Sequence, residues 1–131
     1  MNGARRKAGP DLAIILYVED DELTRVAVSW HLSRAGFEVL GASSGEDALE
    51  LAQQEPQVEL VLLDIYLPGI DGVETARALR RTYPGVPLVI TSGHLTPDMR
   101  RRIGPLAPAA LIPKPYRAAE MIGVLQGLLT G

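Results

Sequence analysis

The sequence has no cysteine, which excludes a disulfide framework and a thiolate metal site. Its two histidines, His31 and His94, show no metal-ligand spacing, so a histidine-built metal centre is excluded as well. There is no basic surplus: the formal net charge is −3, and no direct nucleic-acid partner is expected. Three local basic clusters (Arg5-Arg6-Lys7, Arg80-Arg81 and Arg100-Arg101-Arg102) read as solvated tail or helix faces. The longest early apolar run, Leu12 to Val18, is too short to span a bilayer. Glu19-Asp20-Asp21 follows it at once, so it is no signal-peptide core either. No membrane insertion and a cytoplasmic location are expected. Internal repeats and low-complexity segments are absent too.

What is present is the composition of one globular domain of ordinary size, 131 residues with 47% hydrophobic and 22% charged side chains. Residues 1–10 carry three basic residues, two glycines and a proline, and read as a flexible N-terminal arm, with the folded domain expected over 11–131. From there, apolar runs alternate with amphipathic stretches. Leu12–Val18, Phe37–Ala42, Val58–Leu63, Pro87–Ser92 and Ala110–Ile112 read as strands. Between and after them lie helices over Asp21–Ala35, with Val28, Leu32 and Ala35 on one face, and from Ser44 through Gln54. A third runs from Asp71 to Thr82, and a last one from Arg117 to Leu129. Ser44 with Asp47, and Asp71 with Glu74, have the spacing of N-terminal caps, and Gly36 suits a left-handed helix stop. Thr96-Pro97 opens a fourth helix that Gly104-Pro105 and Pro108 must cut short. Five alternating strand–helix pairs predict an α/β fold, a parallel sheet covered on both faces in three layers.

In open parallel sheets, ligands gather beyond the carboxyl ends of the strands. Those ends carry Glu19-Asp20-Asp21, then Asp64, then Ser92, then Lys114-Pro115. Asp20 and Asp64 at adjacent strand ends repel each other, and a hard divalent cation such as Mg²⁺ relieves that repulsion. With the cation bound, the Asp64 carboxylate becomes a usable nucleophile toward a phosphate, while Lys114 and Ser92 have the chemistry to hold phosphoryl oxygens. Asp21 reads as a helix cap rather than a ligand.

These residues stand in motifs that resemble the response-regulator receiver domain of two-component signal transduction, from about Leu12 to Leu129. The motifs are Ile-Leu-Tyr-Val-Glu-Asp-Asp at 15–21, Leu-Leu-Asp-Ile-Tyr-Leu-Pro-Gly at 62–69 with Asp71-Gly72, Thr-Ser-Gly at 91–93, and Lys-Pro at 114–115. The resemblance implies a flavodoxin-like (βα)5 sandwich with strand order 2-1-3-4-5. It implies that Asp64 accepts the phosphoryl group and that Asp20 ligates Mg²⁺ directly, Glu19 through water and Tyr66 through its backbone carbonyl. Lys114 is the phosphoryl-contacting lysine, in a Lys114-Pro115 bond that is often cis in this family. Ser92, 22 residues before Lys114 and followed by the small Gly93, is the switch hydroxyl, with Thr91 pointing the other way. The implied donors are a sensor histidine kinase or a histidine phosphotransfer protein, and the implied role is signalling rather than enzymatic turnover.

Three departures from the family pattern stand out. Leu111 occupies a position where many members carry the Tyr or Phe that swings inward on activation. Tyr66 and His94 flank the site at variable positions and are expected to tune how water reaches the aspartyl phosphate. The proline-broken fourth helix disfavours the family's dimer through the fourth and fifth helices, leaving at most a weak homodimer. Trp30 lies off the Val28–Leu32–Ala35 face, and half-buried packing is its expected state, with an exposed partner anchor as the alternative.

Other aspartate or nucleotide chemistries fit less well. A dehalogenase-type phosphotransferase wants a second Asp where Tyr66 stands, and a dinucleotide-binding module wants a glycine-rich turn where three acids stand. The rival that survives is a phosphorylation-independent pseudo-receiver acting as an interaction module. No effector segment is expected after the last helix, which suits either a stand-alone receiver or the receiver of a larger hybrid protein.

Overall fold

Alternating burial of successive side chains divides the interior into two cores, one on each face of a single sheet. The computed structural model describes residues 12–130. The basic arm expected at 1–10, the first domain residue and Gly131 lie outside the described residues. The strands are β1 (Ile14–Val18), β2 (Glu38–Ala42), β3 (Leu60–Asp64), β4 (Leu88–Ser92) and β5 (Ala110–Pro113). The helices are α1 (Glu22–Arg34), α2 (Gly45–Gln54), α3 (Gly72–Thr82), α4 (Pro97–Ile103) and α5 (Ala118–Thr130), with a 3₁₀ turn at Gly104–Leu106.

All strand pairings are parallel, in the order β2-β1-β3-β4-β5. β1, β3 and β4 are buried along their whole length, as expected for central strands of a sheet covered on both faces. Ile14, Leu16, Val18, Val61, Leu63 and Ile90 face α2, α3 and α4. Their neighbours Ile15, Tyr17, Leu60, Leu62 and Val89 face α1 and α5, where Val28, Leu32, Met121 and Leu125 close the second core. Each fully buried aliphatic side chain of this kind stabilises the fold by about 1.5–3 kcal/mol.

Caps fix where the helices begin, and hence where the strand ends open. The Asp21 side chain accepts from Thr24 N, Ser44 from Asp47 N, Asp71 from Glu74 N and Thr96 from Met99 N. Gly36 follows α1 at a φ of 98°, the left-handed conformation expected of it. β3 begins at Leu60 rather than Val58 and takes in Asp64. Val58 is still buried, and Glu59 N already donates to Ile14 O at 2.8 Å.

The fourth helix is short, as its prolines require. The chain does not simply unravel there, because the 3₁₀ turn needs no N–H from Pro105 and carries it to Ala107 at a φ of 49°. Arg80 of α3 donates to the Leu106 carbonyl and, at 2.6 Å, to the Ala107 carbonyl, partnering backbone acceptors that follow the broken helix. Arg102 donates to Asp71 Oδ2 at 2.7 Å. The reading of the 80–81 and 100–102 clusters as merely solvated faces is therefore corrected for these two arginines. Trp30 is also corrected. It is 55% exposed on α1, because its position looks away from both cores, and the Arg34 guanidinium lies 4.8 Å from its ring centre.

Candidate functional site

The sheet delivers acids and a lysine to one place. β1 ends at Val18, and the Glu19 N–H donates to Ala42 O at 3.0 Å, extending the β1–β2 ladder by one residue. That keeps the Glu19 side chain inside, only 1% exposed. Asp64 is the last residue of β3 and is also buried. Lys114 follows β5, its N–H donating to Ser92 O at 2.7 Å. The Lys114-Pro115 bond is cis, as the resemblance implied.

Lys114 Nζ donates to Asp64 Oδ2 at 2.9 Å and to Glu19 Oε1 at 3.0 Å. The other Glu19 oxygen accepts from Asp21 N at 3.2 Å, and Asp64 Oδ1 accepts from Tyr66 N at 3.0 Å. Burial pushes the Glu19 carboxyl above its ordinary range; Lys114 and the Asp21 amide pull it back, and the Asp64 charge adds to the rise. Burial would lower the Lys114 ammonium, but its bonds to Asp64 and Glu19 win and hold it above the ordinary lysine value.

Asp20 is exposed at the rim, and one oxygen each from Glu19, Asp20 and Asp64 lie within 4.8 Å of one another. A set of three carboxylates with an accessible side fits a hard, oxygen-seeking divalent cation that keeps part of its water, which describes Mg²⁺. Softer metals that favour nitrogen or sulfur find no such ligand in this group.

The hydroxyl side is arranged differently. Ser92 is buried, and its Oγ accepts from His94 N at 3.1 Å and donates to His94 O at 3.0 Å. Thr91 is buried as well, and alternation along β4 places it on the opposite face of the sheet from Ser92. Gly93 and His94 are exposed in the loop, Tyr66 is 42% exposed, and Leu111 packs half-buried against the α2–α3–α4 core. Beside the acids a groove of about 590 Å³ opens between Thr24, Ala27 and Val28 of α1 and Gly93, Lys114 and Pro115.

The sequence model of the response regulator receiver domain family matches residues 15–126. The chain belongs to this family. Within the receiver family, it is 46% identical over 68 residues to the transcriptional regulatory protein AfsQ1 of Streptomyces coelicolor, an alignment covering 52% of this chain and 30% of that protein. It is 32% identical over 126 residues to the sensor histidine kinase AruS of Pseudomonas aeruginosa, covering 92% of this chain and 12% of the kinase. The chain thus spans well under half the length of either relative. Among solved structures, chemotaxis protein CheY4 of Vibrio cholerae superposes with a TM-score of 0.83 at 27% identity, covering 90% of this chain and 99% of that one.

Three residues around the receiver site escaped the sequence reading. Tyr17 is fully buried in β1, two residues before Glu19. Burial raises its phenol far above the ordinary range, with contributions from Tyr116, Glu19 and Asp64. A hydroxyl-bearing residue inside an otherwise aliphatic strand was the available signal. Arg25 donates to the Glu19 carbonyl at 2.8 Å, and nothing in its spacing announces a bond to backbone. Glu46 of α2 accepts from Ile70 N at 3.1 Å, bracing the loop that follows Asp64 across 24 residues of sequence.

Proposed function

We propose that this receiver domain takes a phosphoryl group on Asp64 in a Mg²⁺-dependent reaction, and that the modified state changes which partners it binds. The observation that carries the reading is Lys114 Nζ bonded at once to Asp64 and Glu19, in a group of carboxylates that Asp20 completes. A lysine so placed is ready to exchange a carboxylate partner for a phosphoryl oxygen.

In the proposed step an Asp64 carboxylate oxygen attacks phosphorus, and the phosphorus–nitrogen bond of a donor phosphohistidine breaks, its electron pair staying on the imidazole. Asp20, Asp64, the Tyr66 carbonyl and, through water, Glu19 would hold Mg²⁺, whose positive charge would offset repulsion between the acids and the phosphoryl oxygens. Lys114 neutralises a further oxygen. The Ser92 hydroxyl gives up its two bonds to His94 and turns toward the phosphoryl group, which pulls on the loop leading into α4. The aspartyl phosphate is later lost to water, past Tyr66 and His94.

The donor is a sensor histidine kinase or a histidine phosphotransfer protein. The similarity to a segment of a sensor histidine kinase supports that context. So does α1, where Leu23, Val26 and Trp30 are exposed, Val26 and Trp30 along a second groove that Arg25 and Gly41 also line, giving a histidine-bearing helix an apolar face to rest on.

The test is intact mass after incubation with Mg²⁺ and acetyl phosphate, for wild type and Asp64→Asn. A single phosphoryl adduct in wild type only, lost on chelation, is expected. No adduct, together with an unchanged melting temperature in beryllofluoride, would instead make the chain a phosphorylation-independent interaction module.

A further inference from the structure

The turn Glu19-Asp20-Asp21 is held from three sides. At its start, Glu19 N donates to Ala42 O. At its end, the Asp21 side chain accepts from Thr24 N at 2.9 Å and from Thr24 Oγ1 at 2.6 Å. Between these anchors the Glu19 carbonyl accepts a charged hydrogen bond from Arg25 Nη1 at 2.8 Å. Arg25 is half-buried, and its aliphatic stem lies over Gly41 of β2, where an added Cβ would sit 3.6 Å from Arg25 Cδ. A guanidinium fixed at both stem and tip sets the direction of the peptide joining Glu19 to Asp20. That peptide aims Asp20, the exposed member of the carboxylate group.

We propose that Arg25 is a positioning residue for the divalent-cation site: by holding the Glu19 carbonyl it presents Asp20 alongside Glu19 and Asp64. This rests on the phosphoacceptor reading of the same site. Two effects of Arg25 on a cation oppose each other. Its charge repels Mg²⁺, so removing it would by itself tighten binding. Its bond orders a ligand-bearing turn, and groups that orient metal ligands from behind are worth about 10–100-fold in affinity. The bond outweighs the charge here, because the repulsion acts through solvent near an exposed rim while the bond acts on the ligand's own backbone.

The sign of the change decides between them. Mg²⁺ alone is titrated by calorimetry into the full chain as wild type, Arg25→Ala and Gly41→Leu, with amide exchange at Asp20 and Asp21 followed without metal. Gly41→Leu keeps the charge but crowds the Arg25 stem, since its Cβ alone would reach van der Waals contact with Arg25 Cδ and the rest of the side chain extends beyond it. Both variants should bind Mg²⁺ about tenfold more weakly and exchange faster at the turn. Unchanged or tighter binding in Arg25→Ala overturns the proposal. Should that variant fail to fold, an unchanged affinity in Gly41→Leu overturns it alone. A wild type that binds no Mg²⁺ removes both this inference and the phosphoacceptor reading. A wild type that binds Mg²⁺ and takes the phosphoryl group, with variants equal to it, removes only this one.

Discussion

The two corners of the site sit on one sheet end but are built by different means. At the acid corner, Glu19 and Asp64 are buried, share one lysine, and each accept a backbone N–H as well. At the hydroxyl corner, Ser92 bonds to a residue two positions on, in an exposed loop that leads to a seven-residue helix. That helix is fastened to α3 by Arg102 on Asp71 and by Arg80 at the 3₁₀ turn. Breaking a buried ion pair costs several kcal/mol, whereas a part-exposed one is worth 0–1 kcal/mol. The acid corner is thus fixed by its own contacts, whereas the hydroxyl corner is held by bonds weak enough to rearrange on the phosphorylation proposed above.

The strongest way to break this contrast is Lys114→Met. It leaves Glu19 and Asp64 buried side by side without their cation, and should lower unfolding free energy by about 3 kcal/mol at pH 8 in chelator. The loss should shrink toward pH 5.5. Glu19 already has a folded-state affinity for protons above that of the unfolded chain, and losing Lys114 raises it further. Between the unfolded and folded values the native state binds more protons, so stability rises as pH falls through that window. Urea unfolding at the two pH values checks this. A pH-independent loss would mean that Lys114 acts by packing its stem and not by compensating charge.

Much of this contrast was legible in the sequence, because periodicity and caps are local. Buried runs such as Leu60–Leu63, and Asp71 with Glu74, announce strands and helix starts within a few residues. The gathering of Glu19, Asp64 and Lys114 at one sheet edge followed from the strand ends, and the strand order from the family motifs. What escaped joins side chains to distant backbone. Arg80 on the Leu106 carbonyl and Glu46 on Ile70 N span 26 and 24 residues, and no spacing rule foretells such bonds. The basic clusters looked like solvent-facing charge for that reason. Gly72 shows a similar limit. The motif marked it, but only the structure shows that an added Cβ would collide with the Ile65 carbonyl, next to Asp64, so α3 packs directly on the strand end.

A smaller effect is expected at the hydroxyl corner. Arg102→Ala removes the pair with Asp71, in which both side chains are more than a third exposed, and should cost no more than about 1 kcal/mol of stability. Its signature is local: amide exchange over residues 97–103 should quicken, while exchange in β1, β3 and α3 stays at wild-type rates. Asp71→Ala should cost more, because the same carboxylate also caps α3 through Glu74 N, a contact worth about 1 kcal/mol. If Arg102→Ala loosened the acid corner equally, the two corners would be one cooperative unit and the contrast would fail.

The smallest structural effect, and the finest test of the division, lies at Tyr66 and His94. Both side chains are exposed, so Tyr66→Asn and His94→Ala should leave stability within about 0.5 kcal/mol of wild type. Their backbones nevertheless hold the two corners: Tyr66 N is bonded to Asp64 Oδ1, and the N–H and carbonyl of His94 are both bonded to Ser92 Oγ. The side chains therefore project from fixed points on either side of Asp64, and on the proposed function they are expected to govern the approach of water to the aspartyl phosphate. Each substitution should change the rate of phosphoryl loss, followed by intact mass after the donor is removed, while Mg²⁺ affinity stays constant. Removing the bulkier Tyr66 ring should open the acid side and speed the loss. Rates equal to wild type in both variants would reduce these residues to surface positions, and leave Asp64, Lys114 and Ser92 to set the lifetime alone.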